Sequence, residues 1–152
     1  MKIEMLTMVG IFWLNSLLAD FAHATCRYTN ENGGTLISTD QTVKDNVTGL
    51  IWQRAQAGTT MSQTAAISYC TSLSLNGFTF RLPTVRELSS LVNWGNFNPS
   101  IDPIAFPNTT ANLFWSSTPY QPSPTSAWFV YFGSGGVGSN SVTSSYYVRC
   151  AR

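Results

Sequence analysis

An α+β fold is predicted for this chain by three observations. Helical spacing is confined to the middle, where Met61, Ala65, Tyr69 and Leu73 recur four apart and Val85, Leu88, Leu91 and Val92 follow at similar intervals. Two short strand-like runs stand before that region. Three more crowd the last third, at 114–118, 127–132 and 145–150, close enough in sequence for a β-meander. Helices grouped early and a sheet completed late describe two helices packed on a mainly antiparallel sheet.

Taken in order, residues 25–34 are polar and read as a loose arm. Val43–Asn46 and Leu50–Gln53 read as a hairpin, with Val47-Thr48-Gly49 as its turn. Thr60–Leu75 reads as the first helix, with Thr60 and Gln63 at its start and Asn76-Gly77 as its stop. Pro83 cannot extend a strand or helix, so a short strand should end at Arg81 or Leu82. Thr84 followed three residues later by Glu87 is a capping-box pattern that opens a helix running from Val85 to Asn93. The Pro- and Asn-rich crossing from Trp94 to Asn112 is long for a bare loop and should pack down through Ile101, Ile104 and Phe106. Ala127–Phe132 is apolar on both faces and should be a central strand. The Gly133–Ser144 run of Gly, Ser, Asn and Thr reads as a loop before the closing strand.

The chain has 152 residues, enough for one domain, with a hydrophobic content of 43% that supports a core. Its charged content is only 10%, so the surface is built from neutral polar residues. A formal charge of +1 without a basic run argues against a nucleic-acid partner. The N-terminus has the pattern of a secretory signal peptide: Lys2, a mostly apolar Met5–Leu18, then Ala22-His23-Ala24 as a small-x-small cleavage site. A membrane anchor is the alternative, but the apolar run is short for a stable span and Asp20 closes it. The expectation is a leader over 1–24, a single domain over 25–152, and a secreted, periplasmic or cell-surface location.

Loss of the leader removes one base, Lys2, and two acids, Glu4 and Asp20, which moves the formal charge from +1 to +2. It also removes His23, the one histidine. A Ser-His-Asp triad, a Cys-His pair and a His-ligated zinc site are then impossible, and neither catalysis nor a cofactor is expected. Three cysteines remain, Cys26, Cys70 and Cys150, and three cannot all pair within one chain.

Several groups have a structural reading beside a functional one. Arg81 and Glu87 suit an ion pair tying a strand end to a helix start better than a general base, and removing one partner of such a buried pair would be costly. Trp52, Trp115 and Trp128 lie inside strand patterns and suit the core better than a sugar platform. Trp94, beside Gly95 and Asn96, is the better exposed candidate. The Gly133–Gly138 run lacks the Gly-Lys-Ser/Thr ending of a phosphate loop. After Glu87 the only acid is Asp102, too few ligands there for calcium. What remains is a polar surface from the segments 121–126 and 134–145, whose Ser, Asn, Thr and Tyr resemble an adaptable binding face. Its candidates are Gln121, Ser123, Ser134, Ser139, Asn140, Ser141, Thr143 and Tyr146, with Trp94.

One ordered set of motifs is more specific. Thr48-Gly49-Leu50-Ile51-Trp52-Gln53 precedes Phe80-Arg81-Leu82-Pro83-Thr84-Val85-Arg86-Glu87-Leu88. Phe114-Trp115-Ser116-Ser117-Thr118, Ala127-Trp128-Phe129-Val130-Tyr131-Phe132-Gly133 and Tyr147-Val148-Arg149-Cys150 follow. The set resembles the Lcl C-terminal domain family, also called DUF1566, from about Val43 to Arg152. The resemblance implies a compact C-type-lectin-like fold related to formylglycine-generating-enzyme-like domains. It implies binding at a surface rather than catalysis, although the acidic and amide motifs of calcium-binding lectins are missing. In lectin-like folds the first helix is stapled to the last strand, so the resemblance pairs Cys70 with Cys150. That bond closes a loop of about 80 residues, worth roughly 4 kcal/mol in the chain-entropy model. Many relatives carry a cysteine where this chain has Ala55.

The resemblance also implies an adhesin-like module for an extracellular ligand, a sulfated polysaccharide or a host surface protein. Sulfated ligands need convergent cations, and Arg27, Lys44, Arg54, Arg81, Arg86, Arg149 and Arg152 are scattered in sequence; a homo-oligomer would help through avidity. The alternatives are a structural subunit of a surface assembly, with Cys26 serving contacts between chains, and a retroelement-diversified variable binding protein.

Overall fold

A computed structural model describes residues 26–152. The expected leader over 1–24 lies outside the described residues. Across the described residues the fold is α+β, with two short helices and three antiparallel sheets. Among the described residues no helix is long and apolar enough to cross a membrane.

The first sheet holds β1 (Tyr28–Thr29), β2 (Thr42–Asp45) and β3 (Ile51–Gln53). β2 and β3 form the expected hairpin, with Val43 opposite Trp52 and Gly49 at φ +77° in its turn. The arm expected to be loose is instead bound to this sheet. β1 pairs with β2, and the Arg27 guanidinium donates to both carboxylate oxygens of the buried Asp45, at 3.2 and 2.9 Å. Burial opposes ionisation of Asp45, but the hydrogen bonds from Arg27 hold its carboxyl below the usual range. The Tyr28 ring meets Phe106 edge-on at 5.3 Å. Polarity misleads here because the attachment is itself polar.

Helix α1 spans Gln63–Ser72, and its cap is Ser62, whose hydroxyl accepts from the Ala65 N–H, rather than Thr60. Met61 lies outside the helix and pairs with Tyr146 through backbone bonds of 2.9 and 3.0 Å. Ala66 and Cys70, four apart, are the buried apolar positions of α1. Cys70 is bonded to Cys150 with Cα atoms 5.4 Å apart, as the resemblance implied. Asn76-Gly77 is not a helix stop. Both residues have positive φ, 51° and 79°, and they turn a small hairpin of β4 (Ser74–Leu75) and β5 (Phe78–Thr79).

Helix α2 is shorter than its periodicity predicts, Val85–Ser89, and it opens on the full capping box of Thr84 and Glu87. Arg81 donates to Glu87 at 2.8 and 2.6 Å, but the side chains are 48% and 25% exposed. The pair expected to be buried is therefore a surface clasp. In the crossing that follows, Ile101 and Phe106 are buried as expected, whereas Ile104 is 75% exposed.

β6 (Leu113–Pro119), β7 (Ser126–Tyr131) and β8 (Gly136–Ser141) form the meander with β7 central. Its third strand is not the one expected. The Gly/Ser run supplies β8, while residues 145–151 make isolated bridges to four different partners, Trp52, Met61, Arg81 and Phe114. Gly138 explains the concealment: a Cβ there would lie 2.6 Å from the Phe129 ring, so the aromatic residue covers a strand position that has no side chain. The sheet has an apolar cluster on each face. Phe114 and Val130 join Leu88, Leu91, Ile101 and Phe132 on one; Trp115 and Ala127 join Ala66, Val148 and the disulfide on the other. Trp52 and Trp115 are fully buried, but Trp128 is only half-buried. Its cross-strand neighbour is Ser139, and Tyr120 meets it edge-on at 5.1 Å.

Candidate functional site

The nine candidate binding residues do not form one surface. Gln121 and Ser123 lie in the β6–β7 connection, whereas Ser134 lies in the β7–β8 connection. β7 separates these ends by roughly 17 Å, at about 3.4 Å per residue. Ser139, Asn140 and Ser141 lie along β8, with Ser141 opposite Ser126 at the Gln121 end.

At that polar end the side chains are occupied with one another. The Ser123 hydroxyl lies 3.3 Å from those of Thr125 and Ser126, and Ser141 bonds Thr143 at 2.8 Å. Asn140 accepts from the Ser141 N–H at 2.8 Å and donates to the Tyr146 hydroxyl. Tyr146 itself packs against Trp115 at 4.5 Å and Phe129 at 5.5 Å. It is a covering residue with a bonded hydroxyl, not an open ligand contact.

The other end differs in chemistry. Trp94 is 79% exposed, as is Phe97, which sequence reasoning missed. Their loop is fixed by backbone bonds. Asn98 donates to the Gly133 carbonyl at 3.1 Å, Ser100 to Phe132 at 2.6 Å, and Asn93 to Ser100 at 3.0 Å. The Asn96 amide donates to the Ile101 carbonyl at 2.8 Å. Gly135, at φ +80°, supports the indole: a Cβ there would come within 2.6 Å of Val92 and 3.1 Å of Trp94. Ser134 is exposed in the same turn. An exposed Trp followed three residues later by Phe, among Asn and Gly, is the signal that could have found Phe97.

The cations also separate. Arg27 and Arg81 are in ion pairs. Arg54 is buried and donates to the carbonyls of Ile37, Asp40, Ile104 and Ala105. Arg149 is completely buried, donating to the carbonyls of Gln53 and Arg54 and to the Thr109 hydroxyl, with its guanidinium 4.6 Å from the Phe106 ring. Burial pushes its pKa down to about 9. Arg152 lies over Phe78 at 3.8 Å. The Tyr-Val-Arg-Cys motif thus carries a structural arginine, which ties the C-terminal stretch to the end of β3 and the residue after it. Among the described residues no group of three or more His, Cys, Asp or Glu side chains is placed to hold a metal ion.

The core positions of Trp52, Phe80, Leu82, Leu88 and Trp115, with the Cys70–Cys150 bond, account for the ordered motifs as parts of one fold. Residues 41–152 match the model of the Lcl C-terminal domain family. The chain belongs to the Lcl C-terminal domain family. No curated protein matches it. Among the motif residues of this Lcl C-terminal domain, those named above are buried or clasped, while Trp94 and Phe97 lie outside the motifs and face solvent.

Proposed function

We propose that this protein is an exported, non-catalytic binding module of the bacterial envelope or surface that holds a neutral glycan at the aromatic end of its meander. The observation that carries the reading is the pair Trp94 and Phe97, both 79% exposed on a loop pinned by backbone hydrogen bonds to Phe132 and Gly133, just after β7. Large rings held in water on a rigid base are a binding feature, since nothing in packing requires them there. Sugar C–H faces stack on such rings, and Ser134, Asn93 and Asn96 stand near them in sequence or turn with hydroxyl and amide groups.

Export is supported by the leader pattern over 1–24 and by a disulfide, which persists in oxidising compartments. A sulfated ligand is less well supported than a neutral one. Four of the seven cations after residue 24 are in ion pairs or buried, and the 93–100 and 131–137 segments contain none. The test is a glycan array with the chain from Thr25, followed by affinity measurement on the best neutral hit. Trp94→Ala should abolish retention of that hit with an unchanged melting temperature. Retention by the variant, or hits confined to sulfated glycans and lost in moderate salt, would overturn the reading.

A further inference from the structure

A cleft of about 490 Å³ opens beside the first sheet, between the 38–41 segment, the residues after β3 and the Pro107-Asn108 turn. None of its lining residues belongs to the aromatic end. Its volume falls in the roughly 300–1,000 Å³ range of small-molecule sites. The floor is Gln53 and Arg54, 6% and 8% exposed, and both are already satisfied. The Gln53 amide donates to the Tyr69 hydroxyl at 2.8 Å and its carbonyl accepts from the Cys150 N–H at 3.2 Å. Arg54 donates to carbonyls on both walls, joining Ile37 and Asp40 to Ile104 and Ala105. Asp40 accepts from the Ile37 N–H at 2.7 Å. The two charges at the cleft therefore hold its walls.

The rim is the reverse. The side chains of Ser38, Thr39, Gln41 and Asn108 make no hydrogen bond to any described residue. Gln56 spends only its carbonyl, on the N–H and hydroxyl of Thr110 at 2.9 and 3.2 Å. Asn108 holds the left-handed conformation, φ 59°, which fixes where its amide projects. Leu75 and Pro107 add apolar surface. We infer that this cleft is a binding site for a neutral polyhydroxylated ligand, a mono- or disaccharide unit. Five unspent hydroxyl and amide groups around a rigid, charge-balanced floor match alternating donors and acceptors on a small apolar body. An anion finds no available guanidinium there, and a hard cation finds one carboxylate. The inference stands independently of the aromatic end.

The experiment uses the ¹⁵N-labelled chain from Thr25, titrated with glucose, galactose, mannose, N-acetylglucosamine and their disaccharides, with inorganic sulfate as the anionic control. At least one sugar should shift the side-chain amide resonances of Gln41, Gln56 and Asn108 saturably, and sulfate should not. Gln41→Ala with Asn108→Gly should weaken that sugar by about tenfold or more, the equivalent of one or two lost hydrogen bonds. Glycine keeps the left-handed backbone at position 108, and the single variant Gln41→Ala at an exposed position serves if the double variant folds poorly. Trp94→Ala should leave the cleft affinity unchanged. Absence of shifts with every sugar, shifts confined to residues 93–100, or wild-type affinity in the folded variants would each sink the proposal. The second of these outcomes would leave the aromatic-end reading standing.

Discussion

The two ends of the meander are made of different materials and rest on different supports. At the Gln121–Ser126 end, hydroxyls bond neighbouring hydroxyls and Asn140 serves Tyr146. That end is held by the cluster containing Ala127, Tyr146, Val142 and the Cys70–Cys150 bond. At the Ser134 end two rings stand in solvent, and their loop is held by the cluster containing Val92, Ile101 and Phe132. The comparison teaches that polar composition alone does not identify a binding face. A hydroxyl already bonded within the chain offers a ligand little, whereas an exposed ring retains its whole apolar surface for contact.

The largest effect should come from the support of the polar end. Replacing both Cys70 and Cys150 by Ser is expected to cost about 2–5 kcal/mol of stability. Because Tyr146 packs in the disulfide's cluster, the backbone pairing of Tyr146 with Met61 should lose amide-exchange protection more than that of Ser100 with Phe132. Equal loss at both ends would show that the two clusters behave as one cooperative unit.

Gly135→Ala should come next, at about 1–3 kcal/mol, since it combines a left-handed backbone with collisions against Val92 and Trp94. It should also move the Trp94 emission spectrum, because the indole must leave the turn. A stable variant with unaltered fluorescence would mean that the turn does not position the ring.

Removing the rings themselves should barely touch stability. Trp94→Ala with Phe97→Ala should stay within about 0.5 kcal/mol of wild type in stability while weakening a bound neutral glycan by about 1.5 kcal/mol or more. Gln121→Ala with Ser123→Ala, at the other end, should leave affinity unchanged. The opposite pattern would return the binding surface to the polar loops. Neither the 93–100 segment nor the 131–137 segment contains a carboxylate, imidazole or amine side chain, so affinity at the aromatic end should be flat across neutral pH.

Much of the frame was legible in the sequence. The β2–β3 hairpin, the Thr84–Glu87 capping box, strand β7 and the burial of Trp52 and Trp115 all follow from local pattern, because each depends on residues near in sequence or on strong hydrophobicity. The failures share a different cause. β8 hides because Gly138 lets the Phe129 ring cover it, and β1 hides because an ion pair holds it. Asn76-Gly77 suits a helix end or a tight hairpin, and the chain around it decides. The site was harder still. Arg54 and Arg149 look like surface cations until the fold surrounds them with carbonyl groups, and the cleft is assembled from three separated segments.

The smallest expected effect separates stability from binding. The Arg81 hydrogen bonds and the Thr84 cap hold the Glu87 carboxyl down to about 2, below its unperturbed value. A carboxyl depressed in the folded state contributes its full stability above the unfolded pKa, near 4.3, and loses it as pH falls through the folded value. The clasp should therefore be intact at neutral pH and weaken from about pH 4 toward pH 2. Its exposure limits the contribution, so Glu87→Gln should cost about 1 kcal/mol or less at pH 7. At pH 2 the gap should be much smaller, because Glu87 is then about half protonated in the folded chain, and it should close below that pH. Denaturant unfolding at the two pH values measures this directly. A difference as large at pH 2 as at pH 7 would show that Glu87 acts through packing rather than charge. A loss of glycan affinity in Glu87→Gln at unchanged stability would place the clasp in a binding site instead.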